Sequence, residues 1–172
     1  MVHRPRPRPS PFPKFTHKDE DNNLRIVAPH LWIGAEHSPS KRPTGQPWEL
    51  VVDLYGVPLE EGEDHRYDGA KEVLHWPFID GEKFPDGLLQ TVVSRVSQIR
   101  PLGHVLIQCQ AGLSRSASAT YAVLRLLDGL THEEAFLRVY AGEPDFPRKT
   151  TIASARAFVD AVQRRRGSQK TK

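Results

Sequence analysis

The stretch His104-Val105-Leu106-Ile107-Gln108-Cys109-Gln110-Ala111-Gly112-Leu113-Ser114-Arg115-Ser116-Ala117-Ser118 constrains this chain more than any other. Val105, Leu106 and Ile107 form a short continuous apolar run, the pattern of a strand buried on both faces. The run leads to Cys109, the only cysteine in the chain. Short, neutral or glycine-bearing positions lie between it and Arg115. Ser116–Asp128 then reads as a helix, apolar nearly all round except at Arg125, and therefore central to the packing. Strand, tight loop and helix together set a thiol against a helix N-terminus. Loop N–H groups at such a terminus bind an anion, and the same positive end favours a thiolate. The guanidinium of Arg115 adds a planar fork for two phosphate oxygens.

The string Cys109-Gln110-Ala111-Gly112-Leu113-Ser114-Arg115-Ser116 resembles the signature of the protein tyrosine phosphatases: Cys, five residues, Arg, then Ser or Thr. Within them it is most similar to the dual-specificity branch, which favours Ala-Gly-x-Ser-Arg-Ser after the nucleophile. The resemblance covers roughly Leu24 to Val162. It implies an α/β fold with a mostly parallel central sheet flanked by helices, and a cysteine-dependent phosphatase acting on phosphotyrosine and phosphoserine or phosphothreonine in a phosphorylated protein substrate. It makes Cys109 the nucleophile and gives the substrate oxygens to Arg115 and to the loop residues Gln110, Ala111, Gly112, Leu113 and Ser114. Ser116 donates to the sulfur as it leaves. No metal and no cofactor is implied, because loop N–H groups and Arg115 supply the charge stabilisation.

Expelling an alkoxide or phenoxide needs a proton donor on a neighbouring loop, worth ~10²–10⁴-fold. Asp80 is the candidate: it follows the strand ending at Phe78, precedes Gly81, and stands at a distance before Cys109 similar to that of the general acid in the family. Asp86 is the rival, better explained as a helix-start residue, and Asp53 falls inside a strand. Two positions depart from the family pattern. Gln108 stands where the nucleophile is usually preceded by His, which puts thiolate stabilisation in question. Arg148 follows Pro147 where Asn is frequent, which puts the support of the loop in question.

Two other functions are open on the same residues. One is a phosphatase for a phosphoinositide, an RNA 5′-phosphate or a glycan phosphate. Families acting on such highly charged substrates tend to carry Lys or His inside the loop, and here the loop is neutral, which favours a monophosphate on protein. The other is a phospho-binding module without turnover, against which the retention of Cys109, Arg115 and an acid argues.

Around this centre the chain divides into a Pro/Arg-rich leader over 1–23, expected to be disordered, a domain over 24–163 and a basic tail over 164–172. Proline alternates at 5, 7, 9, 11 and 13 and forbids helix and sheet. The leader holds five basic and three acidic residues and the tail five basic and none acidic, so the total of +3 leaves −4 on the domain. A nucleic-acid-binding core is not expected of a mildly acidic body. One cysteine allows no internal disulfide and suits a reducing compartment, so a cytoplasmic location is expected. No apolar run opens the chain as a signal peptide would, and none is long enough to span a membrane. The oligomeric state is not fixed by these features.

Strands are expected at Leu24–Val27, Leu31–Ile33, Leu50–Leu54 and Val73–Phe78. Leu89, Val92, Val93, Val96 and Ile99 recur at helical spacing, with Pro85 and Asp86 at the start. Thr131 and Glu134 form a capping box for a helix burying Ala135, Phe136, Val139 and Tyr140 and stopping at Gly142. A last helix from about Ile152 buries Ala155, Val159 and Val162 and frays into the basic tail. The eight histidines show no metal-ligand spacing.

Overall fold

The structure, a computed structural model, describes residues 24–41, 45–55, 67 and 69–169. The leader, the acidic stretch 60–64 and the last three residues lie outside the described residues. Five short strands, β1 (Arg25–Ala28), β2 (Leu31–Gly34), β3 (Leu50–Asp53), β4 (Val73–His75) and β5 (Val105–Gln108), form one sheet in the order β1-β2-β5-β3-β4. β1 is antiparallel to β2, and every other pairing is parallel. β5 lies in the middle and is buried at all four positions, three of them the apolar run Val105–Ile107 and the fourth Gln108.

Four helices, α1 (Leu88–Ile99), α2 (Arg115–Leu127), α3 (His132–Val139) and α4 (Lys149–Gln169), complete the fold. α2 is the hub: it packs against α1, α3, α4 and the central strands, and eleven of its residues are buried. Ala117, Ala122 and Val123 from this helix join Ile33, Val52 and Ile107 from the sheet in one large apolar cluster. At 2–5 kcal/mol for truncating a buried Leu to Ala, Leu124 alone carries a large share of a domain's net stability. The opposite face of the sheet carries a smaller cluster of Leu24, Trp32, Trp48, Val51, Tyr67 and Leu106. The described helices thus gather in one cluster on one face, and irregular segments carrying Trp48 and Tyr67 cover the other.

Several boundaries differ from expectation. β4 stops at His75; Trp76 N–H still donates to Asp53 O at 2.9 Å, and the chain then runs on to Phe78 outside the ladder. Pro85 and Asp86 form a turn before α1 rather than its first residues, because Gly87 takes a left-handed φ of 79° that a helix cannot continue through. The capping box is present: Glu134 N–H donates to Thr131 Oγ1 and Thr131 N–H to Glu134 Oε2. α3 ends at Val139, before Gly142, with Ala135 and Val139 buried and Phe136 and Tyr140 half-buried. α4 begins three residues before Ile152 and does not fray after Val162. Arg164, Arg165 and Arg166 continue it as exposed helix, consistent with the good helix propensity of arginine.

Candidate active site

The parallel strands β2, β5 and β3 end together, and the loop 109–114 leaves their shared C-terminal edge to enter α2. Cys109 is 3% exposed, and its N–H donates to Gly34 O at 3.3 Å. Its Sγ lies 3.1 Å from Oγ of Ser116, in the first turn of α2. Gly112 has φ 71°, and a Cβ there would stand 3.0 Å from Gly34 C and O, so the loop closes onto the end of β2 only with glycine at this position. Glu36 N–H donating to Gln110 O at 3.1 Å adds a second tie to the same strand end.

Arg115 points back across the strand ends. Its Nη1 donates to Leu54 O at 3.0 Å and to Phe78 O at 2.7 Å, and its guanidinium lies 5.7 Å from the centre of the Tyr55 ring. The side chain is buried, and its Nε has no hydrogen-bond partner among the described residues. One nitrogen is thus spent on orientation while the opposite edge keeps a donor. Ser114 Oγ accepts a hydrogen bond from the backbone N–H of Arg148 at 3.1 Å. The departure at Arg148 therefore leaves the loop supported: the tie uses a main-chain donor that any residue except proline supplies there.

Asp80 follows directly on the segment that holds Arg115, two residues after Phe78. Its Oδ2 is 3.8 Å from Nε of Arg148, and its Oδ1 is buried without a partner among the described residues. The turn around it is pinned to α4, with Thr151 Oγ1 donating to Glu82 O at 3.0 Å and Phe84 N–H to Ser154 Oγ at 3.0 Å. Asp86 is exposed and lines a groove between the start of α1 and α4. Asp53 is occupied: it is 1% exposed, accepts from Tyr55 N–H at 2.8 Å and from the Tyr67 hydroxyl, and sits on the face of the sheet away from Cys109. Arg115, Ser116 and the loop thus gather around Cys109, Asp80 borders them through Arg148 and Phe78, Asp53 is engaged on the other face of the sheet, and Asp86 stands exposed in the groove. Among the described residues no group of three or more His, Cys, Asp or Glu side chains is placed to hold a metal ion, and no helix is long and apolar enough to cross a membrane.

The sequence reading missed Arg25, Tyr55 and the side chain of Arg148. Arg25 donates from Nη1 to Gly112 O at 3.0 Å, under the loop. Its signal was a charge inside the apolar run Leu24-Arg25-Ile26-Val27. Tyr55 left no signal, since its contact with Arg115 depends on how β3 ends.

Solved structures share this architecture. Human DUSP28 matches with a TM-score of 0.62 at 23% identity, over 81% of this chain and 95% of that one. PTPMT1 matches with 0.67 at 17% identity, over 84% and 99%. Tk-PTP in its active form matches with 0.64 at 20% identity, over 80% and 96%. No family model matches the chain, and no curated protein matches it in sequence. The fold is therefore the α/β fold of the protein tyrosine phosphatases.

Proposed function

We infer that the chain is a cysteine-dependent phosphatase of the dual-specificity kind, acting on phosphate monoesters of proteins. The observation that carries this is Cys109 Sγ placed 3.1 Å from Ser116 Oγ at the head of α2, beside an Arg115 oriented by two backbone carbonyls. The Cys109 thiolate attacks phosphorus; the P–S bond forms as the P–O bond breaks, and the leaving oxygen takes a proton from Asp80. Arg115 and the N–H groups of Gln110, Ala111, Gly112, Leu113 and Ser114 hold the equatorial oxygens. Water then attacks the thiophosphoryl enzyme, Asp80 accepts its proton, and Ser116 donates to the departing sulfur. A single buried thiol as nucleophile fits a reducing compartment such as the cytoplasm.

A second substrate class has its own support. PTPMT1, one of the structural neighbours, is known in complex with PI(5)P, and the half-exposed Arg148 gives this site a cation outside the neutral loop. Hydrolysis of p-nitrophenyl phosphate by the wild-type chain and its loss in Cys109→Ser test the chemistry. A panel of phosphotyrosine, phosphothreonine and phosphoserine peptides, run beside phosphoinositide and RNA 5′-phosphate, tests the substrate. Turnover that persists in Cys109→Ser overturns the nucleophile, and turnover confined to the lipid or RNA overturns the protein substrate.

A further inference from the structure

The geometry points to Arg25 as a positioning residue for the Cys109 site: it holds the phosphate loop from beneath and sets a second cation behind the nucleophile. This rests on the reading of Cys109 as nucleophile. Arg25 is on β1, opposite Ile33 of β2, and its side chain takes the face of the sheet that carries Ile33, Ile107 and Cys109. Nη1 donates to Gly112 O at 3.0 Å, and Nη2 to Val139 O at 2.7 Å, the last residue of α3. The guanidinium therefore bridges the underside of the loop and the carbonyl end of a helix.

Two consequences follow from elementary chemistry. A trans peptide unit points its C=O and the next N–H in opposite directions. Turning the Gly112 carbonyl down to Arg25 therefore turns the Leu113 N–H the other way, toward the side where the anion binds. The left-handed φ of Gly112 permits this turn. The second consequence is electrostatic. Burial lowers Arg25 to about 10, while the nearby Cys109 charge raises it, so the group remains a cation at neutral pH. The cation lies beneath the loop and on the same face of the sheet as Cys109. In this chain, where Gln108 brings no charge, the cation under the loop comes from another strand.

A purely structural alternative makes Arg25 no more than a partner for the orphan carbonyl at the end of α3. Iodoacetate alkylation of Cys109 as a function of pH separates the two, because it reads the thiolate without requiring turnover. The variants are Arg25→Met, Arg25→Lys and, as a control, Arg138→Met. Arg138 donates to Val27 O at 2.9 Å and joins α3 to β1. Arg25→Met is expected to slow alkylation at pH 6 several-fold and to weaken vanadate inhibition. Arg25→Lys, which keeps the charge but loses the fork, is expected to move the profile by less, and Arg138→Met to leave it in place. A wild-type profile in folded Arg25→Met overturns the proposal. Should that variant not fold, a wild-type profile in Arg25→Lys together with unaltered vanadate inhibition does so. A wild-type Cys109 that alkylates no faster than a free thiol at neutral pH would instead overturn the nucleophile itself.

Discussion

Gln108 and Cys109 are joined by one peptide bond and lie on opposite faces of the sheet. Cys109 shares its face with Ile107 and the helices, whereas Gln108 follows Leu106 onto the face of Trp32 and Trp48. On the helix side, the thiol has Ser116 against its sulfur and Arg115 and Arg25 about the loop. On the other side, Gln108 is 1% exposed, and neither its Oε1 nor its Nε2 has a hydrogen-bond partner among the described residues. Its neighbours across the sheet are Gly34 and Asp53, and Asp53 is in turn opposite His75. Asp53 fixes the Tyr55 N–H, and His75 Nε2 donates to Tyr55 O at 3.2 Å. Tyr55 and Leu54, with Phe78, are residues that orient Arg115. One face makes the charge arrangement, and the other holds the strand ends that aim it.

The largest effect is expected where the two faces meet, at Arg115. Arg115→Lys loses the fork and one or both carbonyl bonds, and kcat is expected to fall by about 10²–10³, the scale of removing one oxyanion donor. An activity within a few-fold of wild type would mean that the loop N–H groups bind the anion without it. Next comes Asp80→Asn, expected to slow alkyl phosphates by about 10²-fold and p-nitrophenyl phosphate by much less, since a good leaving group needs little protonation. The same pattern produced by Asp86→Asn instead would move the acid from the β4 loop to the start of α1.

On the supporting face, Asp53→Asn is expected to act through Arg115 rather than on chemistry. The amide keeps an acceptor for Tyr55 N–H but turns a donor toward the Tyr67 hydroxyl, so the charge-assisted bond from Tyr67 is lost at a cost of ~1–3 kcal/mol. The melting temperature should fall and vanadate inhibition should weaken several-fold. A lowered melting temperature with unaltered vanadate inhibition would confine Asp53 to stability. This face also sets an acid limit. His104 lies below its ordinary value of 6.5, first because of burial and then because of His30, and its Nδ1 accepts from Trp32 Nε1–H at 3.3 Å. The unfolded chain therefore takes up that proton at higher pH than the folded one. The contribution of neutral His104 is intact above 6.5 and is lost as pH falls from there toward the lower folded value. His132, lowered by burial and by Arg156 and Arg125, acts in the same sense. Urea melts at pH 7.5 and 5 should show the loss, and His104→Asn should reduce it.

Legibility in the sequence followed periodicity. β5, the loop and α2 were readable because an apolar run, a glycine-bearing gap and a helical repeat are all local patterns. Gly112, Ser116 and Arg115 are singled out with them through the resemblance that string carries, and Asp80 is the candidate acid from its place after a strand, before Gly81 and at the family's distance from Cys109. The supports were not readable. Arg25 reaches the loop across 87 positions and Ser114 meets Arg148 across 34, and no local pattern encodes such pairings. The extent of α4 was misjudged because its last turns bury nothing, so the apolar repeat ended before the helix did.

The smallest effects are expected at Gln108, where the two faces can be separated by a single side chain. A buried amide with both polar atoms unpaired costs about 1–3 kcal/mol in desolvation, and leucine removes those atoms at similar volume. Gln108→Leu should therefore raise the melting temperature and leave turnover within a few-fold of wild type, since the side chain makes no hydrogen bond among the described residues. A lower melting temperature would mean that the amide is satisfied by ordered water, for which a buried polar site is suited. Gln108→His is the sharper variant. A ring in this row meets the Asp53 carboxylate across the pairing of β5 and β3, and an imidazolium held there adds positive charge one residue from the thiol. Iodoacetate alkylation of Cys109 at pH 6 should then be faster, by only a few-fold, because Arg25 and the α2 terminus are already in place. A larger histidine effect once Arg25 is removed would show that the two groups are coupled at the thiolate. Equal shifts with and without Arg25 would show that the two faces act on Cys109 independently.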